Sequence, residues 1–404
     1  MKQKYKKSQF NLVMKGHREI IIYNTLYNSL TRLTNEEYKM FSNERIQDEK
    51  LTKQLVKQGI LVNTDSNELE QYNRYTYYAN KYVSGKPHLT ITPTMECNAR
   101  CFYCYENGVK CGQMKKEKCQ DIINFLKTLD CSQGIDLTWF GGEPLLNPEW
   151  MDYFSDCLEN AEIKYSAFMI TNGSKIDDDV INKMKSKWNV HDVQITLDGC
   201  YEEYAIRKSY VDENDSVYYK IIKTIGKLAD NGINVQIRMN IDKKNRASIL
   251  HAVEDIMNLY KEKNEVKCYP AFLTGVNNPL TEREKIEFIM QMIEVSQGKF
   301  DINKYLYRLP RTKACYYNQK EAISVDINGN VYMCEHMLGH EEKSIGEIGD
   351  KLKLPERELS GRREQCQNCV FLPKCQGGCS DLLQQGEEPC FTDKYIIMAY
   401  LEMI

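Results

Sequence analysis

The sequence predicts an α/β fold: a partial (β/α)6 barrel between an N-terminal winged-helix-like module and a cysteine-rich C-terminal segment. Three observations predict it. From His88 to about residue 300, six β-prone runs alternate with helical patterns. From about residue 306, apolar periodicity gives way to glycines interspersed with cysteines. The run Met95-Glu-Cys-Asn-Ala-Arg-Cys-Phe-Tyr-Cys-Tyr105 directly follows the first of the six strands.

Residues 1–85 come first. Met1-Lys-Gln-Lys-Tyr-Lys-Lys7 carries four lysines with no apolar run behind it, which excludes a secretory signal and reads as a solvated, frayed end. Residues 10–14, 20–24 and 29–33 read as strands, and 35–41 and 48–57 as helices. Gly59 ends the second helix, and 60–62 reads as a further strand or wing. In residues 86–305 the strands are 88–92, 135–140, 166–170, 193–197, 234–240 and 266–272. The helices are 115–129, 149–160, 178–187, 217–231, 247–260 and 282–297. Such βα units imply parallel strands joined by right-handed crossovers, and six are too few to close an eight-stranded barrel. Functional groups of such sheets collect beyond the C-terminal strand ends, where the cysteine run falls. Residues 306–404 have too little apolar pattern for a core of their own and are expected to fold around metals.

Bulk composition narrows the function. The 404 residues carry 54 basic and 57 acidic side chains, a net charge of −3, so no nucleic-acid or anionic-membrane partner is implied. No stretch is apolar for long enough to span a bilayer. Sixteen cysteines without a signal peptide argue for a reducing, cytoplasmic setting and for metal ligation over disulfides. Three lie at 97–104 and seven between Cys315 and Cys390. Cys111, Cys119, Cys131, Cys157, Cys200 and Cys268 are scattered at no ligand spacing and read as packed, inert thiols.

Cys97, Cys101 and Cys104 can hold three irons of a 4Fe–4S cubane and leave the fourth open to a small molecule. Zinc is the rival reading, but structural zinc takes four close ligands and no fourth is adjacent. Gly141-Gly-Glu-Pro144 after the second strand joins two residues without side chains, which permit close backbone approach, to a carboxylate acceptor. Thr171-Asn-Gly173 and Thr196-Leu-Asp-Gly199 follow the third and fourth strands, although both are also turn formers.

The cysteine spacing, Tyr103 before the last cysteine and the Gly-Gly-Glu-Pro segment together resemble radical S-adenosylmethionine (radical SAM) enzymes over residues 86–305. That resemblance implies a 4Fe–4S cluster whose open iron chelates S-adenosylmethionine, releasing a 5′-deoxyadenosyl radical that abstracts hydrogen from substrate. It places Tyr103, Gly141, Gly142 and Glu143 at the cofactor, with Glu143 accepting from its ammonium group. Asn172 and Thr196 would lie near its ribose or methionyl part, and Arg207 would pair with its carboxylate. Cys315, Gly329, Cys334, Cys366, Cys369, Cys375, Cys379 and Cys390 resemble the SPASM domain of peptide-modifying radical enzymes. This implies two auxiliary 4Fe–4S clusters, making three in all. The outer would take Cys366, Cys369, Cys375 and Cys390, and the inner Cys315, Cys334 and Cys379. Two zinc knuckles are the competing reading. Sulfatase-maturating relatives have a further cysteine shortly before the position of Cys315, and this chain has none between Cys268 and Cys315. The inner cluster thus has an iron open to a substrate thiolate, or one completed by Cys268, water or a carboxylate.

The resemblance implies a maturase of a ribosomally synthesised peptide, of the thioether-forming sactipeptide or ranthipeptide type. A leader segment would add a strand to the N-terminal module. The core peptide would lose a hydrogen and close a crosslink, with a cysteine thioether as the leading product. An external donor such as flavodoxin or ferredoxin would supply electrons. Formylglycine formation on a sulfatase and carbon–carbon crosslinking are the enzymatic alternatives, and a multi-cluster electron carrier or zinc protein the non-enzymatic one. No catalytic base is legible in the sequence.

Overall fold

The computed structural model describes residues 4–16, 19–43, 46, 48–82, 85–211, 217–296, 300, 302–311, 315–349, 351–355, 364–386 and 390–404. The N-terminal module contains β1 (Tyr5–Lys7), β2 (Asn11–Lys15), β3 (Ile20–Asn24), β4 (Ser29–Leu33), α1 (Asn35–Ser42), α2 (Glu49–Lys57), β5 (Leu61–Asn63) and α3 (Glu68–Tyr82). A Thr34–Glu37 capping box opens α1, and the Asp48 carboxylate accepts from the Lys50 and Leu51 amides to open α2. β1 pairs with β5, so Lys6 and Lys7 are strand residues where a frayed end was expected; Met1–Gln3 lie outside the described residues.

β2, β3 and β4 form an antiparallel sheet whose central strand, β3, is buried on both faces. Alternation along β3 explains this. Ile20 and Ile22 pack with Leu33, Phe41, Leu51 and Leu55 of the module. Ile21 and Tyr23 pack on Leu306, Phe371, Ile397 and Leu401 of the C-terminal segment. The module is therefore seated on that segment.

The barrel strands are β6 (His88–Thr94), β7 (Ile135–Gly141), β8 (Tyr165–Thr171), β9 (Val190–Thr196), β10 (Asn234–Ile241) and β11 (Val266–Phe272), parallel and adjacent in chain order. Among them run α4 (Glu117–Leu126), α5 (Pro148–Asn160), α6 (Asp178–Ser186), α7 (Tyr201–Lys208), α8 (Val217–Asp230) and α9 (Arg246–Leu259), with α10 (Glu282–Val295) after β11. The end predicted for this last helix, Gln297, lies outside the described residues. Leu89, Ile91, Leu137, Trp139, Met169, Ile195, Ile237 and Met239 join Ile122, Phe154, Ile221 and Val253 of the helices in one core. Full burial of each such aliphatic side chain stabilises by about 1.5–3 kcal/mol. Alternate strand residues face the lumen and are mostly polar, including Thr90, Thr138, Gln194, Thr196, Arg238 and Tyr269.

The C-terminal segment does not stand apart from this sheet. β12 (Ala322–Val325) pairs in parallel with β6, and β13 (Asn330–Tyr332) and β14 (Gly346–Glu347) follow antiparallel, giving nine strands in the order β11-β10-β9-β8-β7-β6-β12-β13-β14. The sheet thus runs across the boundary expected at residue 306. Four short helices follow the barrel helices: α11 (Asn303–Leu306), α12 (Glu364–Gln367), α13 (Leu372–Cys375) and α14 (Ser380–Gln384). The last helix, α15 (Asp393–Met403), is apolar on more than one face because it serves two cores. Tyr395, Ile396 and Ala399 enter the barrel core, while Ile397 and Leu401 meet the N-terminal module. No helix among the described residues is long and apolar enough to cross a membrane.

His88, at the start of β6, stacks on Tyr316 with ring centroids 3.7 Å apart and bonds the Thr90 and Thr138 hydroxyls at 3.3 and 3.4 Å. Burial pushes its imidazole down to about 4. The unfolded chain protonates this group near pH 6.5, so the neutral ring's contribution is complete above that pH and is lost as pH falls toward 4. The difference amounts to about 3 kcal/mol at most. His88→Phe is expected to flatten this part of the acid-stability profile in urea titrations. An unchanged slope would place the acid sensitivity elsewhere.

Candidate functional site

The cysteine run leaves β6 at the C-terminal edge of the sheet and is pinned from several sides. The Met95 amide donates to Gly112 O at 2.9 Å, Arg100 N to Lys208 O at 2.8 Å, and Val211 N to Asn98 O at 2.9 Å. Within the loop, Ala99 N donates to Cys97 Sγ at 3.4 Å. Cys97 lies within electrostatic reach of Cys101 and Cys104. Burial pushes the Cys97 and Cys104 thiols up to about 11, and Cys101 adds to both rises. Three such groups ionise together only beside a cation.

The Gly-Gly-Glu segment packs against this loop. A side-chain carbon on Gly141, whose φ is +121°, would stand 2.3 Å from Thr94 O; on Gly142 it would stand 2.4 Å from Glu96 O. The close approach these glycines allow is thus to the stem of the cysteine loop, where approach to a ligand was expected. Glu143 is fully buried. Its Oε1 accepts from Thr171 Oγ1 at 2.8 Å and Leu145 N at 3.2 Å, and its Oε2 from Asn172 N at 2.7 Å. Burial raises this carboxyl above its usual range, against the lowering effect of those donors. Three of roughly four acceptor positions are filled, leaving one for a ligand ammonium.

Asn172 completes the link. Its Nδ2 donates to Asn98 Oδ1 at 2.8 Å, and Asn98 Nδ2 donates to Ser174 Oγ at 2.9 Å. The end of β8 is thereby tied to the cysteine loop, and the Asn172 amide expected near a ribose is already engaged.

A second network lies beyond β9 and β10. The Tyr103 hydroxyl donates to Asp198 Oδ2, Asn240 N donates to Asp198 Oδ1 at 3.0 Å, and Lys208 Nζ stands 3.6 Å from Asp198 Oδ2. Asp198 and Lys208 are both buried. Burial alone would lower the Lys208 ammonium, but the Asp198 carboxylate and the acidic side chains of Tyr103 and Cys101 around it hold it well above its usual value. Arg207 bonds Asp242 at 3.0 Å and Glu203 at 3.2 Å, with its guanidinium 5.0 Å from the Phe102 ring centre and 5.8 Å from that of Tyr103. The guanidinium expected to pair with a ligand carboxylate is thus already paired with two protein carboxylates. Thr196 ends β9 opposite Arg238 of β10.

These positions bear on the cofactors the resemblance implies. Arg207 Nε and Thr92 Oγ1 are buried without a hydrogen-bond partner. The first lies beside Phe102 and Tyr103 of the loop, so a polar ligand there finds an unused donor. Among the described residues no three His, Cys, Asp or Glu side chains converge tightly enough for one metal ion. A cubane sets its thiolates on separate irons, further apart than the ligands of a single zinc. Three soft thiols from one loop are a donor set that fits a cubane with one open iron.

The C-terminal thiols fall into two neighbourhoods. Cys334 is raised by burial first and then by charges that include Cys315 and Cys379. Cys375, pushed up to about 11 by burial, also feels Cys369 and Cys366. Cys315, Cys334 and Cys379 are thus electrostatic neighbours of one another, as are Cys366, Cys369 and Cys375. Phe10, Tyr72 and Leu372 pack around Cys366. Tyr72 Oη donates to Arg311 O at 2.9 Å, and the Thr25 hydroxyl donates to Val370 O. The buried Lys374 donates to Leu306 O at 2.9 Å, Arg308 O at 2.7 Å and the Asn28 side chain. The N-terminal module is thereby fastened to the loop of the outer thiols. Of the scattered cysteines, Cys119 and Cys157 lie in mutual hydrogen-bond contact, an arrangement their spacing does not show. A surface groove of about 450 Å³ along α3, lined by Asn67, Arg74 and Tyr77 among others, includes none of the predicted site residues.

Lys208 and Asp242 escaped the sequence reading, while Asn98, Thr171 and Asp198 stood in segments it singled out but were given no role of their own. Asp198 carried a signal, as an acid just past a parallel strand's C-terminal end.

Comparison with known proteins agrees with this geometry. Residues 91–256 match the family model described as Radical SAM superfamily. The uncharacterized protein MJ0907 of Methanocaldococcus jannaschii is 28% identical over 295 residues, 69% of this chain and 95% of that protein. The structure of anSMEcpe with bound AdoMet is similar with a TM-score of 0.61 at 18% identity, over 79% of this chain and 95% of that one. Streptococcus suis SuiB bound to S-adenosylmethionine aligns with a TM-score of 0.54 at 16% identity, over 97% of this chain and 99% of that one. At those identities the structures speak for the fold. The thiol loop at the C-terminal edge of the parallel barrel lies within residues 91–256, the stretch that is similar to the radical SAM family.

Proposed function

We propose that this protein is a radical SAM maturase of a ribosomally synthesised peptide, which it crosslinks through a cysteine thioether. The observation that carries the reading is the association, in one chain, of the radical SAM domain with two further thiol neighbourhoods, the outer one clasped by the N-terminal module. SuiB, which aligns over that module as well, has also been solved bound to the precursor peptide SuiA. When bound, S-adenosylmethionine and the cluster supply the one-electron chemistry that leads to hydrogen abstraction.

The chain's own residues have simpler tasks. Cys97, Cys101 and Cys104 would hold the first cluster, Glu143 would offer its remaining acceptor position to the cofactor's ammonium, and Arg207 would donate its free Nε–H to the cofactor's carboxylate. Tyr103, held by Asp198, fixes the loop that carries the thiols. Cys315, Cys334 and Cys379 would hold the inner cluster, and Cys366, Cys369, Cys375 and Cys390 the outer, which would pass the second electron to an external acceptor. Leader docking on the N-terminal module would bring the core peptide to the barrel mouth.

Anaerobic reconstitution is expected to give about twelve irons per chain, falling by about four when Cys97, Cys101 and Cys104 are replaced by alanine. With reductant and S-adenosylmethionine the native chain is expected to release 5′-deoxyadenosine, and the triple variant none. A chain that takes up zinc and no iron, or releases no deoxyadenosine with any cysteine-bearing peptide encoded beside its gene, would refute the reading.

A further inference from the structure

The inner thiols are three, and the structure offers a specific candidate for the fourth position. Cys315 lies just before β12, Cys334 just after β13, and Cys379 at the start of α14. Glu335 follows Cys334, and its Oε2 stands 4.0 Å from Cys334 Sγ. The same carboxylate acts electrostatically on all three thiols, and on Tyr105 and Tyr316 beside them. Among the described residues no Lys, Arg or His stands within 4.0 Å of it. A half-buried carboxylate beside these thiols and without a basic partner is a donor available to a cation that the thiols hold.

The other candidates are occupied or distant. The buried Asp381 faces His336 and Lys343, each at 3.9 Å, and accepts from Gln385 Nε2 at 2.9 Å. Asn318 Oδ1 faces Cys315 Sγ at 3.8 Å and accepts from Ser380 Oγ at 3.2 Å, and an amide is a neutral, weak donor to iron. Cys268 lies on β11, at the far end of the strand order from β12 and β13. Burial alone raises its thiol, with no charge from the trio contributing. Phe140, Tyr332, Met337 and Leu338 pack around Cys334 and shield the group from water.

We propose that the Glu335 carboxylate is the fourth protein ligand of the inner cluster, binding the iron that Cys315, Cys334 and Cys379 leave open. The inference rests on the reading that these three cysteines hold a cluster. An oxygen ligand is harder than thiolate and leaves that iron more exchangeable, which suits a site that a substrate sulfur must reach.

The test uses the full chain with Cys97, Cys101 and Cys104 replaced by alanine, so that no other cluster has an open iron. In that background, Glu335→Ala and Glu335→Gln are expected to lose one inner iron to a chelator about tenfold faster and to show a 3Fe–4S signal by electron paramagnetic resonance. Glu335→Cys is expected to restore four-iron retention, which separates ligation from a folding defect. Unchanged spectra and iron loss in the Ala and Gln variants would overturn the proposal, as would Cys268→Ala alone producing the 3Fe–4S signal. Replacing Cys315, Cys334 and Cys379 together is expected to remove about four irons. No loss there would instead refute the inner cluster itself.

Discussion

Replacing Asp198 with asparagine is expected to cost about 3–5 kcal/mol of stability, because it leaves the buried Lys208 ammonium without its partner. Asparagine fits the same space. Its oxygen can still accept from Asn240 N, and its amide can donate to Tyr103 Oη, so hydrogen-bond geometry is largely kept. What disappears is the negative charge 3.6 Å from Lys208 Nζ, in a place water does not reach. The strain passes to the cysteine loop, since Lys208 O takes the Arg100 amide and Tyr103 sits between Cys101 and Cys104. Urea titration should show the loss, and iron retained after desalting should fall with it. The double variant Asp198→Asn with Lys208→Met is expected to recover part of the stability, since it removes the stranded charge. Stability within about 1 kcal/mol of the native chain in Asp198→Asn would show that Lys208 is not charged in the fold.

Glu143→Gln is expected to be nearly as damaging although the two side chains differ by one atom. The carboxylate faces only donors: Thr171 Oγ1 and Leu145 N on one oxygen, Asn172 N on the other. In either orientation an amide nitrogen would point at a backbone N–H. The Thr171 hydroxyl can rotate to accept, but the Asn172 and Leu145 amides cannot. One buried backbone donor is then left unpaired, at about 1–3 kcal/mol, and a donor–donor contact adds to it. The damage reaches the thiols through Asn172 and its bond to Asn98. Loss of iron and of stability together, by the same two measurements, is the expected result. Native behaviour would mean that Glu143 is protonated, with its proton already serving as a donor.

The barrel was legible because each of its strands repeats one physical pattern. Leu89 and Ile91, or Val235 and Ile237, alternate with polar residues, and such a strand must lie between an apolar helix layer and a polar lumen. α3, α7 and α15 were not read. Helix α3 is rich in tyrosine and asparagine and shows little periodicity, and α7 hides in a polar stretch after a turn. Helix α15 packs on two cores, so its apolar residues follow no single face. β12 to β14 were missed because strands of two to four residues carry too little pattern, and only pairing with β6 defines them.

The site divides in the same way. Short-range spacing in the sequence determined the thiol loop and the Gly-Gly-Glu turn after β7, because neighbouring residues of one loop are close whatever the rest of the chain does. Tertiary structure alone decided which charges are buried together. Asp198 meets Lys208 and Tyr103, Arg207 meets Asp242, and Glu335 stands beside Cys334 within electrostatic reach of Cys315 and Cys379. It also turned Gly141 and Gly142 toward the cysteine-loop stem. Such pairings depend on how strands register and where helices lie on them, and removal from water makes each unpaired charge costly enough to require its partner.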